Sequence, residues 1–227
     1  MSIWTRISDA LSALAKGEGL AAVFESLRTP PERSVAFTIA VIALGAKMAK
    51  ADGQVTRDEV AAFRNVFTIA PEEEENAARV FNLARQDVAG FDAYARKIAA
   101  MFGPGDRVLI DLAEGLFHIA IANGHLHAAE EAFLREVTSI FGLGETCYRT
   151  LRARFVEDDP HDPYDILGVS PDAPMEEVRA AWKQAVRESH PDGMAARGLP
   201  KEAIRLAEDR LRDVNRAWEA ISNKVAA

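Results

Sequence analysis

Apolar side chains recur at intervals of three and four residues along most of the chain, which is the spacing of one face of an α-helix. These amphipathic stretches are rich in Ala, Leu, Arg and Glu, and short breaks that contain Pro or Gly separate them. We find no convincing run of alternating β-branched residues that would indicate a strand. The pattern therefore predicts an all-α protein.

The breaks also indicate how the chain is divided into domains. They lie at residues 29–31, 71, 103–105, 142–144 and 158–163. The last break is the most polar, and we place the domain boundary there. We predict an amphipathic N-terminal segment over 1–28, a helical domain over 29–157, a linker over 158–163 and a second helical domain over 164–227.

The predicted first domain contains an internal duplication. The segment Ala51–Val55 aligns with Ala122–Leu126 at an offset of 71 residues, and Glu59 aligns with Glu130. In each copy an apolar helix precedes the aligned turn and an amphipathic helix follows it. The repeat predicts two related helix-turn-helix units that pack together.

The duplicated turn has two interpretations. Asp52-Gly53 followed by Glu59 has the spacing of the second half of an EF-hand loop, but the positions of the first oxygen ligands are occupied by Met and Lys. The favoured interpretation is structural, with Gly53 forming the turn and Thr56 and Glu59 forming a capping box. The alternative is that Asp52, Glu59 and Glu130 converge in one pocket for a divalent cation.

Three histidines lie near the second turn, at positions 118, 125 and 127. A structural zinc site needs four ligands, and the sequence offers no second liganding pair beside them. We therefore expect solvent-facing turn histidines.

The second domain is predicted to contain three helices. A short one ends at Gly168, the next begins near Pro174 and stops before Pro191, and the last extends from about Lys201 to Ser222. At about 100° per residue, one face of the middle helix packs while another is basic. The basic face carries three residues, which we call the basic stripe: Arg179, Lys183 and Arg187. The loop over 190–200 is too polar to bury, and we expect it to be exposed.

Composition limits the classes of function. The 27 basic and 35 acidic residues give a net charge of -8, which disfavours the broad basic surface that nucleic acids require. The single cysteine, Cys147, excludes an internal disulfide and a Cys-rich zinc module. No phosphate-binding loop, nucleophile set or tuned carboxylate pair can be assembled from the sequence. We expect a protein that is not an enzyme and needs no cofactor.

Two segments bear on localisation. The longest apolar run, Ser34–Ala46, has 13 residues, fewer than the roughly 20 needed to cross a bilayer. The amphipathic pattern of Ile3–Leu14 fits a helix docked on the core, and it is also compatible with peripheral membrane contact. We expect no transmembrane segment and a cytoplasmic location.

The first domain resembles the tellurite-resistance TerB family over roughly residues 30–155. Lys50-Ala51-Asp52-Gly53 fits the first of the duplicated Lys-x-Asp-Gly turns of that family, and Asn123 stands where the second turn has Asp. The resemblance implies an all-helical domain with a role in stress response and divalent-metal binding through acidic turn residues.

The second domain resembles the J domain of the DnaJ family over roughly residues 162–223. The motifs that carry the resemblance are Tyr164-x-x-Leu167-Gly168-Val169, the basic second helix, His190-Pro191-Asp192 in the connecting loop, and Val214-Asn215-x-Ala217-Trp218. We call His190-Pro191-Asp192 the His-Pro-Asp motif. The chain departs from the family at Gln184 and Gly193, where many J domains have basic residues, and it has no Gly/Phe-rich linker.

Together the two resemblances imply a TerB-like bundle with an internal duplication, followed by a J-domain helical hairpin. The leading hypothesis is a co-chaperone whose His-Pro-Asp motif and basic stripe contact a DnaK-type ATPase and stimulate ATP hydrolysis. The TerB-like domain would then serve targeting or stress sensing. The alternative hypothesis is a metal-binding stress-response scaffold in which the TerB-like domain dominates.

Overall fold

The computed structural model describes residues 32–51, 75, 78, 90–156, 162–196 and 204–226. The amphipathic segment over 1–28 and the first Asp-Gly turn lie outside these residues. Every regular element in the described ranges is helical, which confirms the all-α prediction. The first domain contains α1 (Glu32–Ala51), α2 (Phe91–Phe102), α3 (Arg107–Ala120), α4 (Ala128–Ile140) and α5 (Glu145–Phe155). The second contains α6 (Pro163–Leu167), α7 (Met175–Glu188), α8 (Pro191–Ala196) and α9 (Ile204–Ala226).

The longest apolar run of the sequence lies in α1 and forms the centre of the first domain. Residues 37–48 are all buried, so this helix is surrounded by protein along most of its length. It packs against α2, α3 and α4, which bury their own apolar faces on it. Within the described ranges, no helix combines the length and the apolar character needed to cross a membrane.

The second copy of the duplication is described in full and has the predicted helix-turn-helix form. After α3 a 3₁₀ turn over Ile121–Asn123 ends at Gly124, whose φ of 85° lies in the left-handed region that glycine adopts without strain. The N–H of His127 donates to Oε2 of Glu130 over 3.0 Å, so a reciprocal cap begins α4. His127 and Glu130 occupy the positions that correspond to Thr56 and Glu59, where the sequence predicts a capping box.

The second domain has a small hydrophobic core of its own. Its buried residues come from α6, α7 and α9: Leu167, Val178, Val214, Ala217 and Ile221. The side chain of Asp162 accepts a hydrogen bond from the N–H of Tyr164 and begins α6, and Gly168, with φ 69°, ends it. Pro174 occupies the cap position before α7, in agreement with the predicted start of this helix near Pro174.

The prediction that residues 190–200 form an exposed loop is wrong for residues 191–196, and residues 197–200 lie outside the described residues. Residues 191–196 form α8, and Met194 within it is 1% exposed. Met194, Leu206 and Ala207 belong to the large hydrophobic cluster of the first domain rather than to the core of the second. Helix α8 and the start of α9 therefore share a hydrophobic cluster with the first domain, and the two domains are docked.

Candidate partner-binding surface

The basic stripe lies on α7, a helix whose charges suit its direction. Glu176 and Glu177 occupy the first turn and Arg187 the last, which places each charge at the end of the helix dipole that favours it. Val178 is fully buried and fixes one face of α7 in the core of the second domain. The remaining face is left for the stripe, and Arg179, Lys183 and Arg187 are all exposed.

The first cation of the stripe lies on one of two stacked tryptophans. The rings of Trp182 and Trp218 stack with centroids 5.0 Å apart, and Nε1 of Trp182 donates to Oδ1 of Asn215 over 3.0 Å. The guanidinium of Arg179 lies over Trp218, 5.7 Å from the ring centroid. A cation in this position is attracted to the face of the ring. The sequence did not predict this contact between Arg179 and Trp218.

The last cation of the stripe is also tied to its own helix. Nη2 of Arg187 donates to Oε1 of Gln184 over 2.7 Å, and Nε2 of Gln184 donates to Oε1 of Glu188 over 2.5 Å. Gln184 is one of the residues at which the chain departs from the J-domain pattern. Here its amide links Arg187 to Glu188 and so restricts the rotamers of both.

The His-Pro-Asp motif follows directly after α7. The side chains of His190 and Asp192 are 64% and 94% exposed, and Nδ1 of His190 lies 3.7 Å from Oδ2 of Asp192. The N–H of Asp192 donates to Nδ1 of His190 over 3.3 Å. Pro191 begins α8 and fixes φ between the two polar residues. Within the described residues, the first domain leaves His190, Asp192 and the basic stripe exposed.

Comparisons with known proteins agree with this arrangement. The family model "Tellurite resistance protein TerB" matches residues 38–153, and the model "DnaJ domain" matches residues 162–226. The chain belongs to the TerB family. It is a DjlA-type protein, in which a TerB domain is followed by a J domain.

Several relatives match the chain over most of their own length, and each is named "Co-chaperone protein DjlA". The Photobacterium profundum protein is 25% identical over 91% of this chain and 84% of its own length. The Aliivibrio fischeri protein is 24% identical over 85% of this chain and 80% of its own. The Coxiella burnetii protein is 24% identical over 77% and 72%. No solved structure matches the chain.

The candidate metal ligands of this DjlA-type chain are not brought together within the described residues. Asp52 and Glu59 lie outside those residues. Glu130 is buried and accepts the N–H of His127 as part of a helix cap. Among the described side chains, no group of three or more His, Cys, Asp or Glu could hold a metal ion. The divalent-cation hypothesis stays an untested prediction.

The three histidines of the TerB domain have different surroundings. His125 and His127 are exposed in the turn, as predicted for them, and Nε2 of His127 lies 3.0 Å from the amide nitrogen of Asn123. His118 is instead half-buried beside the ring of Phe155. Burial lowers the pKa of His118 below 6.5. In the J domain, the charge of Asp209 opposes this shift and the charge of Arg205 adds to it.

A buried ion cluster joins the TerB and J domains. Nη1 of Arg154 lies 2.7 Å from Oε1 of Glu114, and Nη2 of Arg154 lies 3.4 Å from Oδ2 of Asp213. Arg210 of the J domain pairs with Glu114 and with Asp111, the latter over 2.5 Å. Burial lowers the pKa of both arginines, and the nearby carboxylates act against that shift. The sequence carries one signal of this cluster, the acidic pair at 111 and 114 within an otherwise apolar helix.

Proposed function

We propose that this chain is a co-chaperone that stimulates ATP hydrolysis by a DnaK-type chaperone through its J domain. The observation that carries the proposal is the exposure of His190 and Asp192 close after a helix that presents three exposed cations. The names of the relatives, each a co-chaperone, support the same function.

The proposed mechanism divides the work between two groups of residues. The basic stripe attracts an acidic surface of the chaperone, which accelerates encounter and weakens as salt screens the charges. The His-Pro-Asp motif then contacts the chaperone and favours the conformation that hydrolyses ATP. The motif can shift this equilibrium only by binding one conformation of the chaperone more tightly than the other. Holding His190 in a fixed position relative to Asp192 favours such selective binding.

The chain itself is not proposed to hydrolyse ATP. Its sequence contains no Gly-rich phosphate loop, and the exposed motif offers no enclosed pocket in which a reaction could exclude water. The TerB domain is proposed to serve targeting or stress sensing. The cytoplasmic location expected from the sequence remains part of this proposal.

The decisive measurement is single-turnover ATP hydrolysis by a DnaK-type chaperone in the presence of the full chain. We expect the wild type to accelerate hydrolysis, less so as salt is raised, and His190→Gln to abolish most of the acceleration. His125→Gln, which alters another exposed histidine of the same chain, is the matched control and should behave as wild type. If the wild type and His190→Gln are both active or both inert, the proposal is wrong.

A further inference from the structure

The His-Pro-Asp motif lies between two side chains that are anchored to the TerB domain. On one side, Oε2 of Glu188 lies 2.6 Å from Nη1 of Arg107, the first residue of α3. On the other side, Met194 is 1% exposed and belongs to the buried hydrophobic cluster that Leu206 and Ala207 of α9 share with the TerB domain. One anchor is therefore electrostatic and half-exposed, and the other is apolar and buried.

The anchors are close enough along the chain to restrict the motif. Glu188 precedes His190 by two residues, and Met194 follows Asp192 by two. Two residues span at most about 7 Å, so the motif can move only a short distance from either anchor. The N–H of Met194 also donates to the carbonyl oxygen of His190 over 3.2 Å, which couples the buried anchor to the backbone of the motif itself.

The same ion pair affects the charge next to the basic stripe. Glu188 follows Arg187 directly, and a carboxylate at that place opposes the positive potential of the stripe. The guanidinium of Arg107 neutralises Glu188 from the TerB domain. A residue outside the J domain thus contributes to the electrostatic surface that the J domain presents.

We propose that the TerB domain positions the His-Pro-Asp motif for its partner, with Met194 and Arg107 as the positioning residues. The inference rests on the proposed function and gives the TerB domain a direct part in it. Pre-ordering the motif removes an entropic cost that the partner would otherwise meet on binding. Releasing an anchor lowers the fraction of molecules in the binding-competent conformation and weakens apparent affinity by that fraction.

The first test follows stimulated ATP hydrolysis as a function of the concentration of the full chain. For Met194→Ser we expect the half-saturating concentration to rise about fivefold, the result of a competent fraction near one fifth, with the maximal rate retained. Met194→Leu approximately conserves the side-chain volume, and we expect it to keep the wild-type half-saturating concentration. Met101→Ser, at a partly buried methionine on α2 that packs on the same cluster, controls for general loosening.

A second pair of variants tests the electrostatic anchor without touching the core. Arg107→Glu should raise the half-saturating concentration, and the double variant Arg107→Glu with Glu188→Arg should bring it back towards wild type. Failure of the double variant to recover, together with an unchanged value for Met194→Ser, would overturn the inference. A rise in Met101→Ser equal to that in Met194→Ser would overturn it as well.

Hydrogen exchange separates this inference from the proposed function. In Met194→Ser we expect faster exchange of the backbone amides over 190–196, with α7 and the second half of α9 unchanged. A wild type that fails to stimulate the chaperone contradicts the proposed function, and the exchange experiment then decides the positioning role alone. Unchanged exchange over 190–196 contradicts that role.

Discussion

His118 shows how a single side chain reports on the contact between the two domains. It lies on α3, half-buried against Phe155 of the TerB domain and within the electrostatic influence of two residues of α9. Burial is the largest cause of its lowered pKa, because a charged imidazole loses hydration there. Its protonation therefore opposes the native packing.

The stability of the protein should depend on pH through this residue. Because the folded-state pKa of His118 lies below 6.5, the unfolded chain binds the proton more readily, and stability falls as pH drops through 6.5. We expect the free energy of unfolding to decrease less between pH 7.5 and 5.5 in His118→Gln than in wild type. Urea unfolding at the two pH values measures this, with His125→Gln as the matched control. Equal decreases in wild type and His118→Gln would refute the prediction.

Among individual residues, the sequence predicts those whose surroundings depend on their own helix. Arg179, Lys183 and Arg187 share a face by spacing alone, and the structure places all three at the surface. Arg210 is different, because its burial and pairing depend on residues far away in the sequence. Arg210 pairs with a partner 99 positions earlier, and no local pattern encodes that contact.

At the scale of an element, α6 shows how a five-residue helix is kept in place. Asp162 caps its start, and Gly168 ends it with a positive φ while its N–H donates to the carbonyl oxygen of Asp165 over 3.0 Å. The hydroxyl of Thr150 on α5 donates to the same carbonyl over 2.9 Å. The ends of α6, rather than its length, thus hold it between the two domains.

Replacing the residue that ends α6 should weaken the protein. Gly168→Ala places a Cβ on a backbone with φ 69° and at 3.4 Å from Oγ1 of Thr150, and we expect a loss of about 1 kcal/mol in unfolding free energy. Gly168→Asn should lose less, because asparagine adopts the left-handed region more readily. Chemical denaturation of both variants compares them. An alanine variant as stable as wild type would contradict this account.

Among the elements, the sequence predicted the breaks at 103–105 and 142–144 and the basic face of α7, but it missed α8. The polar residues around His190 indicated an exposed loop, and Met194 and the two alanines after it were too weak a signal against them. The burial of a single side chain can be predicted only when the surface that covers it is known. The second Asp-Gly-type turn was predictable because its cap and its glycine are local features.

At the scale of the whole molecule, the two domains meet through a buried, charged contact as well as an apolar one. Arg154 and Arg210 are each 4% exposed and share Glu114, so neither has free access to water. Such a pair is costly to bury and costly to break. The polar linker predicted that the chain has two domains. Their docking could not be predicted in the same way, because it depends on side chains that are distant in sequence.

Removing one cation from this contact should be strongly destabilising. Arg210→Leu leaves Asp111 and Glu114 buried with one guanidinium fewer, and we expect a loss of about 3–5 kcal/mol. Arg212→Leu, at an arginine two positions along α9 whose side chain is 56% exposed, should cost less than about 1 kcal/mol. Urea unfolding of the full chain measures both. Similar losses of unfolding free energy in the two variants would contradict the prediction that a cation of the buried cluster is more costly to remove than an exposed one.

The burial of Met194, Leu206 and Ala207 in the neighbouring domain has a consequence for how such a chain can be recombined. A J domain transplanted from a relative would arrive with side chains selected to fit another TerB surface, and a J domain cut free would present three apolar residues and a guanidinium to water. The two halves are therefore not interchangeable parts. Substitutions at 194, 206, 207 and 210 must be matched by substitutions in the helices that receive them.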